Sequence, residues 1–411
     1  MFLRAAVIGF LAFSSALASP ASELFREASF YLEFYYFGPS KVQPKDLVAK
    51  YGRQLEQNCA SQGDSCSVET ARPLIANMVR DLGDGHSYYL SPESFARAEA
   101  AFNGNPDPTP LFGLSYDPQG GVTLVTDVLA GGAAQQAGLL PGDRIVSVNG
   151  QPVGDIRQQL SGDTARLGVA RGPVGEEKRL EFNLARRPTL NLALPYMYVP
   201  TGVPKGVFVL RIPQFETYKG IGPKVHELVR QAQAQGATTI LVDVRNNGGG
   251  EETECVSAAG AFVGDYQLTM QSHLGSAPLG YKNGSTVGND PRDPRSYTIP
   301  NAARWSGKLA VLVNGRSASC AELFAYVVQA AKAGTVVGER TVGLSNTATD
   351  FFPLLDRSAV AITYVRTLGL DGKPLPDAIT PDVQADDDPA AWARTGLDPL
   401  VMRALEALNV R

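Results

Sequence analysis

The second half of this 411-residue chain alternates short apolar runs with amphipathic stretches, and this alternation restricts the fold more than any other feature. The run GVFVLRIPQF is typical of a strand, GPKVHELVRQAQAQG has the apolar spacing of a helix, and TTILVDVRNNGGG is a second strand entering a glycine loop. The runs KLAVLVNG and SAVAITYVRT continue the pattern. Strands that alternate with helices predict a layered α/β domain.

The chain is too long for one ordinary hydrophobic core, so we expect more than one domain. Two further regions precede the α/β domain. The first, up to about residue 101, contains several amphipathic segments, and a further helix is predicted behind Ser91 as N-cap with Pro92 in its first turn. The Pro- and Asn-rich cluster NGNPDPTP then separates it from a region of alternating strands that ends near Arg187. We predict a helical part at 19–107, a strand-rich part at 108–190 and the α/β core at 191–411.

The N-terminus has the pattern of a secretory signal peptide. Arg4 precedes the apolar stretch AAVIGFLAFSSALA, which ends with small residues at Ala16 and Ala18. An N-terminal anchor helix is the alternative, but the stretch is shorter than the ~20 residues that a membrane span needs. We therefore predict that residues 1–18 are removed and that the protein is periplasmic or extracellular.

Composition describes a globular protein, with 44% hydrophobic and 19% charged residues. A net charge of −4 gives no reason to expect nucleic acid or an anionic membrane as a partner, and no other segment predicts stable membrane insertion. The sequence contains no CxxC motif and its three histidines are scattered, which argues against a metal site. No organic cofactor is implied.

The four cysteines become interpretable once export is predicted, because disulfides persist in oxidising compartments. Cys59 and Cys66 lie in the polar stretch NCASQGDSCSV, where a local bridge is easy to form. Cys255 and Cys320 are a second candidate pair, with two small buried free thiols as the alternative.

The motif AGLLPGDRIVSVNG, at residues 137–150, resembles a PDZ domain. In that fold an extended peptide adds as a strand to a sheet edge, and backbone amides of a loop hold its terminal carboxylate. By this resemblance the carboxylate-binding loop is Leu111, Phe112, Gly113 and Leu114. A small strand-rich spacer that binds nothing is the alternative.

The order of the motifs along the chain resembles the C-terminal processing (tail-specific) peptidase family. The motifs are DGHSYYLSPESF, the PDZ-like unit, VDVRNNGGG, NGRSASCAE, GERTVG and AITPDV. The resemblance implies a crotonase-like layered α/β core, with the PDZ domain inserted after the helical N-terminal part. It also implies a serine endopeptidase that cleaves proteins at or near unstructured, apolar C-termini.

By the same resemblance the nucleophile is Ser319, at the beginning of a predicted helix. The positive end of the helix dipole favours negative charge there. Backbone amides of Gly249, Gly250 and Cys320 are predicted to form the oxyanion hole. A disulfide between Cys255 and Cys320 would clamp the two oxyanion loops together, and its reduction would loosen the site. The alternative for Ser319 is an ordinary N-cap, which serine favours in any helix.

The general base departs from the family pattern. The lysine expected 25 positions after Ser319 is replaced by Leu344, and the glutamine expected four positions later falls on Ala348. The leading hypothesis assigns the base to His86, since histidine titrates near neutral pH and the related tricorn-type peptidases use a histidine from a comparable segment. The alternative for His86 is a structural histidine that ties a helix end to the core.

Two other hypotheses remain open. In the second hypothesis Lys373 is the base. Lys332 is excluded as a base, because it lies 13 residues along the helix of Ser319, or roughly 20 Å away. In the third hypothesis the protein is catalytically inactive and binds chain ends through its PDZ-like domain.

Of the other histidines, His226 is predicted to be an exposed helix residue, and His273 is a minor candidate in a loop over the site.

Overall fold

The computed structural model describes residues 19–106, 108–190, 192–288 and 296–411. The predicted signal peptide, residues 1–18, lies outside these residues. Within them, no helix combines the length and the apolar character that crossing a membrane requires.

The N-terminal part is helical, and the Ser19 side chain caps its first helix by accepting the Ser22 N–H. Its elements are α1 (Pro20–Tyr35), α2 (Pro44–Cys59), a 3₁₀ turn (Gly63–Ser65), α3 (Val68–Arg80), the short strand β1 (Tyr88–Leu90) and α4 (Pro92–Phe102). As predicted, the Ser91 side chain accepts a hydrogen bond from the Ser94 N–H and Pro92 lies in the first turn of α4. The buried face of these helices packs on Val360 and Ile362, so the helical part shares a hydrophobic cluster with the α/β core.

The second part is a strand-rich unit inserted between the helices and the core. Its elements are β2 (Thr109–Leu111), β3 (Leu114–Gln119), β4 (Val122–Val128), α5 (Ala133–Ala137), β5 (Arg144–Val148), β6 (Gln151–Pro152), α6 (Ile156–Gln159), β7 (Thr164–Arg171), β8 (Lys178–Ala185) and β9 (Arg187–Thr189). The main sheet has the order β3-β4-β5-β7-β8, with β6 paired to β5. The ladder of β2 with β9 brings the two ends of the unit together.

The core contains two sheets. Its elements are β10 (Tyr196–Tyr198), β11 (Val207–Arg211), α7 (Ile221–Ala234), β12 (Thr239–Asp243), α8 (Glu252–Val263), β13 (Tyr266–Ser272), β14 (Gly275–Lys282), β15 (Ser285–Val287), β16 (Lys308–Val313), α9 (Cys320–Ala330), β17 (Thr335–Gly338), β18 (Thr347–Pro353), β19 (Ala359–Leu368), β20 (Val383–Gln384), α10 (Pro389–Thr395) and α11 (Pro399–Ala407).

One core sheet is largely parallel and supplies the edge at which the candidate site lies. Its order is β10-β11-β12-β16-β17-β20, and only β10 runs antiparallel to its neighbour. Strands β11, β12 and β16 are almost entirely buried, because helices and the other domains cover both faces. Since β12 and β16 are parallel neighbours, the glycine loop after β12 and the serine turn after β16 meet at one edge of the sheet.

The second core sheet is antiparallel, with the order β1-β19-β13-β14-β15 and with β18 paired to β19. Strand β1 comes from the N-terminal part, so the segment that carries His86 is fastened to this sheet through the pairing of Tyr88 with Ala361. The predicted layered α/β architecture, with a helical N-terminal part and an inserted PDZ unit, is confirmed.

Candidate active site

Ser319 lies in a strained turn between β16 and α9. Its φ of +52° and ψ of −116° are rarely adopted by residues other than glycine. Backbone strain of this kind costs roughly 1–3 kcal/mol and is found most often at active sites and switches. A serine at a sharp strand-to-helix turn presents its hydroxyl outward from the sheet edge. The alternative of an ordinary N-cap does not account for this conformation, because N-cap residues usually have extended dihedrals.

Hydrogen bonds between the two loops hold the turn in place. Asn314 and Asn246 bond reciprocally, with the Asn246 N–H donating to Asn314 Oδ1 and the Asn314 side-chain amide donating to Asn246 Oδ1, both at 3.0 Å. The N–H of Ala318 donates to the Asn247 carbonyl at 2.9 Å. The serine turn and the glycine loop are therefore positioned as one unit.

Gly249 and Gly250 lie so close to neighbouring segments that a side chain at either position would clash. A Cβ on Gly249 would lie 2.7 Å from Ser319 Cβ, and one on Gly250 would lie 2.2 Å from the carbonyl carbon of Phe215. The N–H of Gly249 donates to Asn247 Oδ1 at 2.9 Å. This amide is thus engaged within its own loop, which differs from its predicted part in the oxyanion hole. Gly249 also makes room for the serine, and the oxyanion hole of Gly249, Gly250 and Cys320 stays a prediction.

Glu322 connects the serine turn to the loop in which the family lysine would lie. Its buried carboxylate accepts the N–H of Ser319 at 2.7 Å, the N–H of Gly343 at 2.9 Å and the N–H of Leu344 at 2.8 Å. It also accepts the hydroxyl of Thr341 at 2.5 Å. Burial raises the pKa of Glu322, while these donors act in the opposite direction. Glu322 therefore fixes where the 341–344 loop stands relative to Ser319.

Ser319 and His86 line the same cavity, which has a volume of about 350 Å³. Gly250, Cys320, Leu344 and Thr347 line it as well. The structure therefore brings together the predicted nucleophile, the leading candidate base and two of the three predicted oxyanion residues. Among the described residues, no hydrogen bond joins His86 to Ser319. Catalytic hydrogen bonds often form only when substrate is bound, so this does not remove His86 as a base.

The imidazole of His86 is buried and, within the described part of the chain, has one hydrogen bond. Only 8% of the residue is exposed, and its Nδ1 lies 2.9 Å from the hydroxyl oxygen of Thr347. Burial lowers the pKa of His86 to about 4, and the nearby charge of Asp84 opposes this shift only in part. The ring is therefore neutral at physiological pH, which is the form that accepts a proton.

The other candidate bases are not in the cavity. Leu344 occupies the position of the family lysine, and a Cβ on Gly85 would lie 3.4 Å from its Cδ2 atom, so its side chain packs beside the His86 segment. Lys373 is 80% exposed and its Nζ lies 3.8 Å from Asp371, away from the cavity lining. Throughout the described part of the chain, no lysine or arginine lines this cavity.

Two expectations about the remaining histidines are corrected by the structure. His226 is fully buried rather than exposed, because both ring nitrogens find backbone partners: Nδ1 accepts the Ala303 N–H and Nε2 donates to the Ser257 carbonyl, each at 2.9 Å. His273 does not line the cavity. Its Nε2 lies 2.9 Å from the Tyr36 carbonyl, and its ring packs edge-on against Phe37.

Both predicted cysteine pairs are disulfides in the structure. Cys59 is bonded to Cys66 at the end of α2, and Cys255 in α8 is bonded to Cys320 at the start of α9. The second bridge joins the helix that follows the glycine loop to the helix that follows Ser319. It therefore fastens the two oxyanion loops to each other.

A second cavity, of about 420 Å³, lies on the PDZ unit and is lined by the whole predicted carboxylate-binding loop, Leu111–Leu114. Strand β3 is an edge strand of its sheet, so one side of it is available for pairing with an added strand. The carbonyls of Phe112 and Gly113 accept N–H groups of the PDZ framework, and Arg186 stacks over the Phe112 ring at 4.8 Å. These contacts fix the shape of the loop.

The parallel sheet edge, the strained serine and the inserted strand-rich unit match the arrangement that the motifs predict for a serine-type peptidase with a PDZ domain. Residues 206–385 match the profile of peptidase family S41, and residues 124–183 match that of the PDZ domain. The family S41 match covers residues 206–385 of the α/β core, in agreement with the motifs.

Relatives support the assignment over most of the chain. The carboxy-terminal processing protease CtpA of Bacillus subtilis is 25% identical over 325 residues, which are 76% of this chain and 63% of that protein. The tail-specific protease of Haemophilus influenzae is 25% identical over 319 residues, covering 74% of this chain and 42% of that protein. The chain thus spans less than two thirds of the length of either relative. In fold, it is similar to a lipoprotein from Streptococcus agalactiae, with a TM-score of 0.53, 13% identity and coverage of 97% and 99% of the two chains.

Two residues of the site have functions that sequence reasoning did not assign. Glu322 follows Ser319 in the pattern S-x-x-E, which is the signature of a capping box, so its contact with the Ser319 N–H could have been anticipated. Thr347 has no local signal, because it meets His86 across 261 residues of sequence.

Proposed function

We propose that the protein is an exported serine endopeptidase that cleaves proteins at or near unstructured C-termini, with Ser319 as nucleophile and His86 as general base. The observation that supports this most directly is the shared cavity, in which a strained serine and a buried neutral histidine lie beside a glycine loop. A serine hydroxyl needs such a neighbour, because it is a weak nucleophile unless a base accepts its proton.

The geometry supports an acyl-transfer sequence. Ser319 Oγ attacks the substrate carbonyl carbon, its proton passes to His86 Nε2, and the carbonyl electron pair moves onto oxygen. The N–H of Gly250 in the glycine loop and the N–H of Cys320 at the start of α9 stabilise that oxyanion. The proton then passes from His86 to the leaving amine, and a water molecule, activated by the same histidine, releases the acyl group.

The PDZ unit supplies the second part of the proposal, which is recognition of the chain end. Its groove contains the apolar side chains of Leu114, Val128 and Leu129 beside the carboxylate-binding loop. An unstructured apolar C-terminus can add to the edge of β3, with its side chains in this groove. Partners are therefore proteins or peptides with loose apolar tails.

Export forms the third part, and two features support it. The apolar stretch that ends at Ala18 has the pattern of a cleavable signal. Both cysteine pairs are disulfides, which persist in oxidising compartments. A periplasmic or extracellular location follows.

The proposal is tested by incubating the wild type and Ser319→Ala with a protein that ends in a loose apolar tail. We expect the wild type to shorten this substrate and to be labelled by a serine-reactive fluorophosphonate, with the label mapped by mass spectrometry to the peptide that contains Ser319. We expect Ser319→Ala to lose both properties while it still binds the tail. No turnover between pH 5 and 9, together with no labelling, would instead favour a PDZ-type binding module.

A second variant separates the base from the nucleophile. Leu344→Lys places an amine where the family has one, on a loop that Glu322 fixes through backbone contacts. In the His86→Ala background we expect Leu344→Lys to recover part of the lost hydrolysis. A pH–rate profile of His86→Ala alone that keeps wild-type rates and a limb well above neutral would remove His86 from the mechanism.

A further inference from the structure

We propose that Thr347 is the positioning residue for His86: its hydroxyl oxygen accepts the Nδ1–H of the ring while Nε2 exchanges the proton with Ser319. This inference rests on the proposed function, because it concerns the orientation of the proposed base. The residue lies at the first position of β18, three residues after Leu344.

The contact is local, buried and specific. Thr347 Oγ1 lies 2.9 Å from His86 Nδ1, and both residues are only 8% exposed. Within the described residues this is the one hydrogen bond of the His86 ring, so nothing else there sets its orientation through a polar contact. The partner that orients a catalytic imidazole commonly also decides which nitrogen carries the proton.

The chemistry of the protonated ring makes the direction of this bond definite. Once His86 takes the proton from Ser319, both ring nitrogens carry hydrogen and both must donate. Nδ1–H then needs an acceptor in a buried environment, since an unsatisfied buried donor of a charged group is costly. Thr347 Oγ1 is within reach, and its lone pairs can serve.

The position of Thr347 follows from contacts described above. Glu322 holds the N–H groups of Gly343 and Leu344, and β18 begins three residues later in a ladder with β19. Thr347 pairs with Arg366 in that ladder. The His86 segment is fastened to the same strand, because β1 pairs with β19. The positions of Thr347 and His86 are therefore set by β18 and β1, which both pair with β19.

A neutral hydroxyl in this position also fits the charge of the site. Burial lowers the pKa of His86 to about 4, and the opposing charge comes from Asp84, whose carboxylate bonds the N–H groups of His86 and Ser87 rather than the ring. A carboxylate at position 347 would favour the imidazolium before substrate arrives. A hydroxyl keeps the ring neutral and still accepts a hydrogen bond after proton transfer.

The test uses the full-length processed protein with ¹⁵N-labelled histidine, and the three histidines are assigned by single His→Gln variants. At pH 7 we expect the His86 signals to report a ring protonated at Nδ1. Thr347→Val removes the hydroxyl at nearly constant volume, and we expect the ring to lose this single tautomer. Thr347→Ser keeps the hydroxyl, and we expect it to restore the wild-type signals.

Kinetics supply the second readout. We expect Thr347→Val to lower kcat about 10- to 100-fold with little change in KM, because the hydrogen bond that it removes is stronger once the ring carries the transferred proton. Thr347→Ser should recover most of this loss. The matched control is Thr363→Val, which deletes a buried hydroxyl that contacts Ser87 instead of the ring. It should leave the His86 signals unchanged.

The result that would overturn the inference is a Thr347→Val variant with the wild-type tautomer and the wild-type kcat. A wild-type ring protonated at Nε2 alone would overturn it too, since Thr347 would then be the donor. If the wild type hydrolyses nothing, the proposed function fails, while the NMR signals still decide whether Thr347 orients the ring.

Discussion

The surroundings of His86 and of His226 offer a comparison between two buried histidines in one chain. At His226, on α7, both ring nitrogens are bonded to backbone groups at 2.9 Å, and the ring packs beside Tyr281. At His86 one nitrogen meets a side-chain hydroxyl and the residue lines a cavity that also contains Ser319. Burial lowers the pKa of both histidines.

The difference shows that burial and a lowered pKa do not identify a catalytic histidine. A ring whose two nitrogens are both satisfied by backbone has no lone pair or proton left to exchange with a substrate. A ring with one nitrogen hydrogen-bonded and the other facing a cavity can exchange a proton with a substrate without changing its orientation. The predictions below test whether this distinction in hydrogen bonding corresponds to a distinction in function.

The largest effect is expected for His86→Ala, which should lower kcat/KM by roughly 10²- to 10⁴-fold, the usual contribution of a general base. The variant should stay folded, as judged by circular dichroism, because the ring makes a single hydrogen bond to the residues that the structure describes. Cleavage of a protein with a loose apolar tail measures the rate. A loss of less than about threefold would place His86 outside the chemistry.

His226→Ala should show the opposite pattern. The buried Ala303 N–H and Ser257 carbonyl lose their partners, so we expect unfolding in urea to require roughly 3 kcal/mol less free energy. The kcat of the molecules that remain folded should be that of the wild type. A large fall in kcat without destabilisation would contradict the comparison.

Acid pH should reduce stability through both histidines. In the unfolded chain histidine titrates near 6.5, whereas the pKa of His86 in the folded chain is about 4. The unfolded state therefore binds the proton first, and the stability contributed by His86 is present above pH 6.5 and lost as pH falls toward 4. The full loss corresponds to about 3 kcal/mol.

This loss is measured as the difference between wild-type and His86→Gln unfolding midpoints across that pH range. His226→Gln should show a loss in the same direction, since the pKa of His226 is also lowered. Only His86 should set the acidic limb of the pH–rate profile, which we expect well below 6.5. A limb at 6.5 would indicate a different base.

The smallest effect is expected for Lys373→Ala, which should leave both activity and stability within error. The side chain is 80% exposed and its contact with Asp371 is a weak surface pair. A clear loss of activity would restore the hypothesis that a lysine serves as base.

Much of the architecture could be predicted from the sequence because it depends on local patterns. The runs that became β11, β12 and β16 are mostly apolar, with the charged residues Arg211, Asp243 and Lys308 only at strand ends, and Ser91 with Pro92 marks the start of α4. The glycine loop and the serine turn were predictable because parallel strands end at a common sheet edge.

What the sequence could not provide depends on contacts between distant segments. The burial of His226 follows from backbone partners on α8 and near residue 303, and no helical periodicity reveals them. The engaged N–H of Gly249 depends on the side chain of Asn247. Thr347 meets His86 only because β18 and β1 lie on either side of β19.

The hydrogen bonds of Glu322 to its neighbouring loop affect which side chains position 344 can tolerate. The carboxylate grips main-chain N–H groups, at Gly343 and Leu344, and one hydroxyl, at Thr341, so the path of the loop is independent of which side chain stands at 344. Leucine and lysine can thus replace each other at position 344 without a change in these backbone hydrogen bonds. A lineage can exchange one proton acceptor for another in this cavity without rebuilding the scaffold that presents the serine.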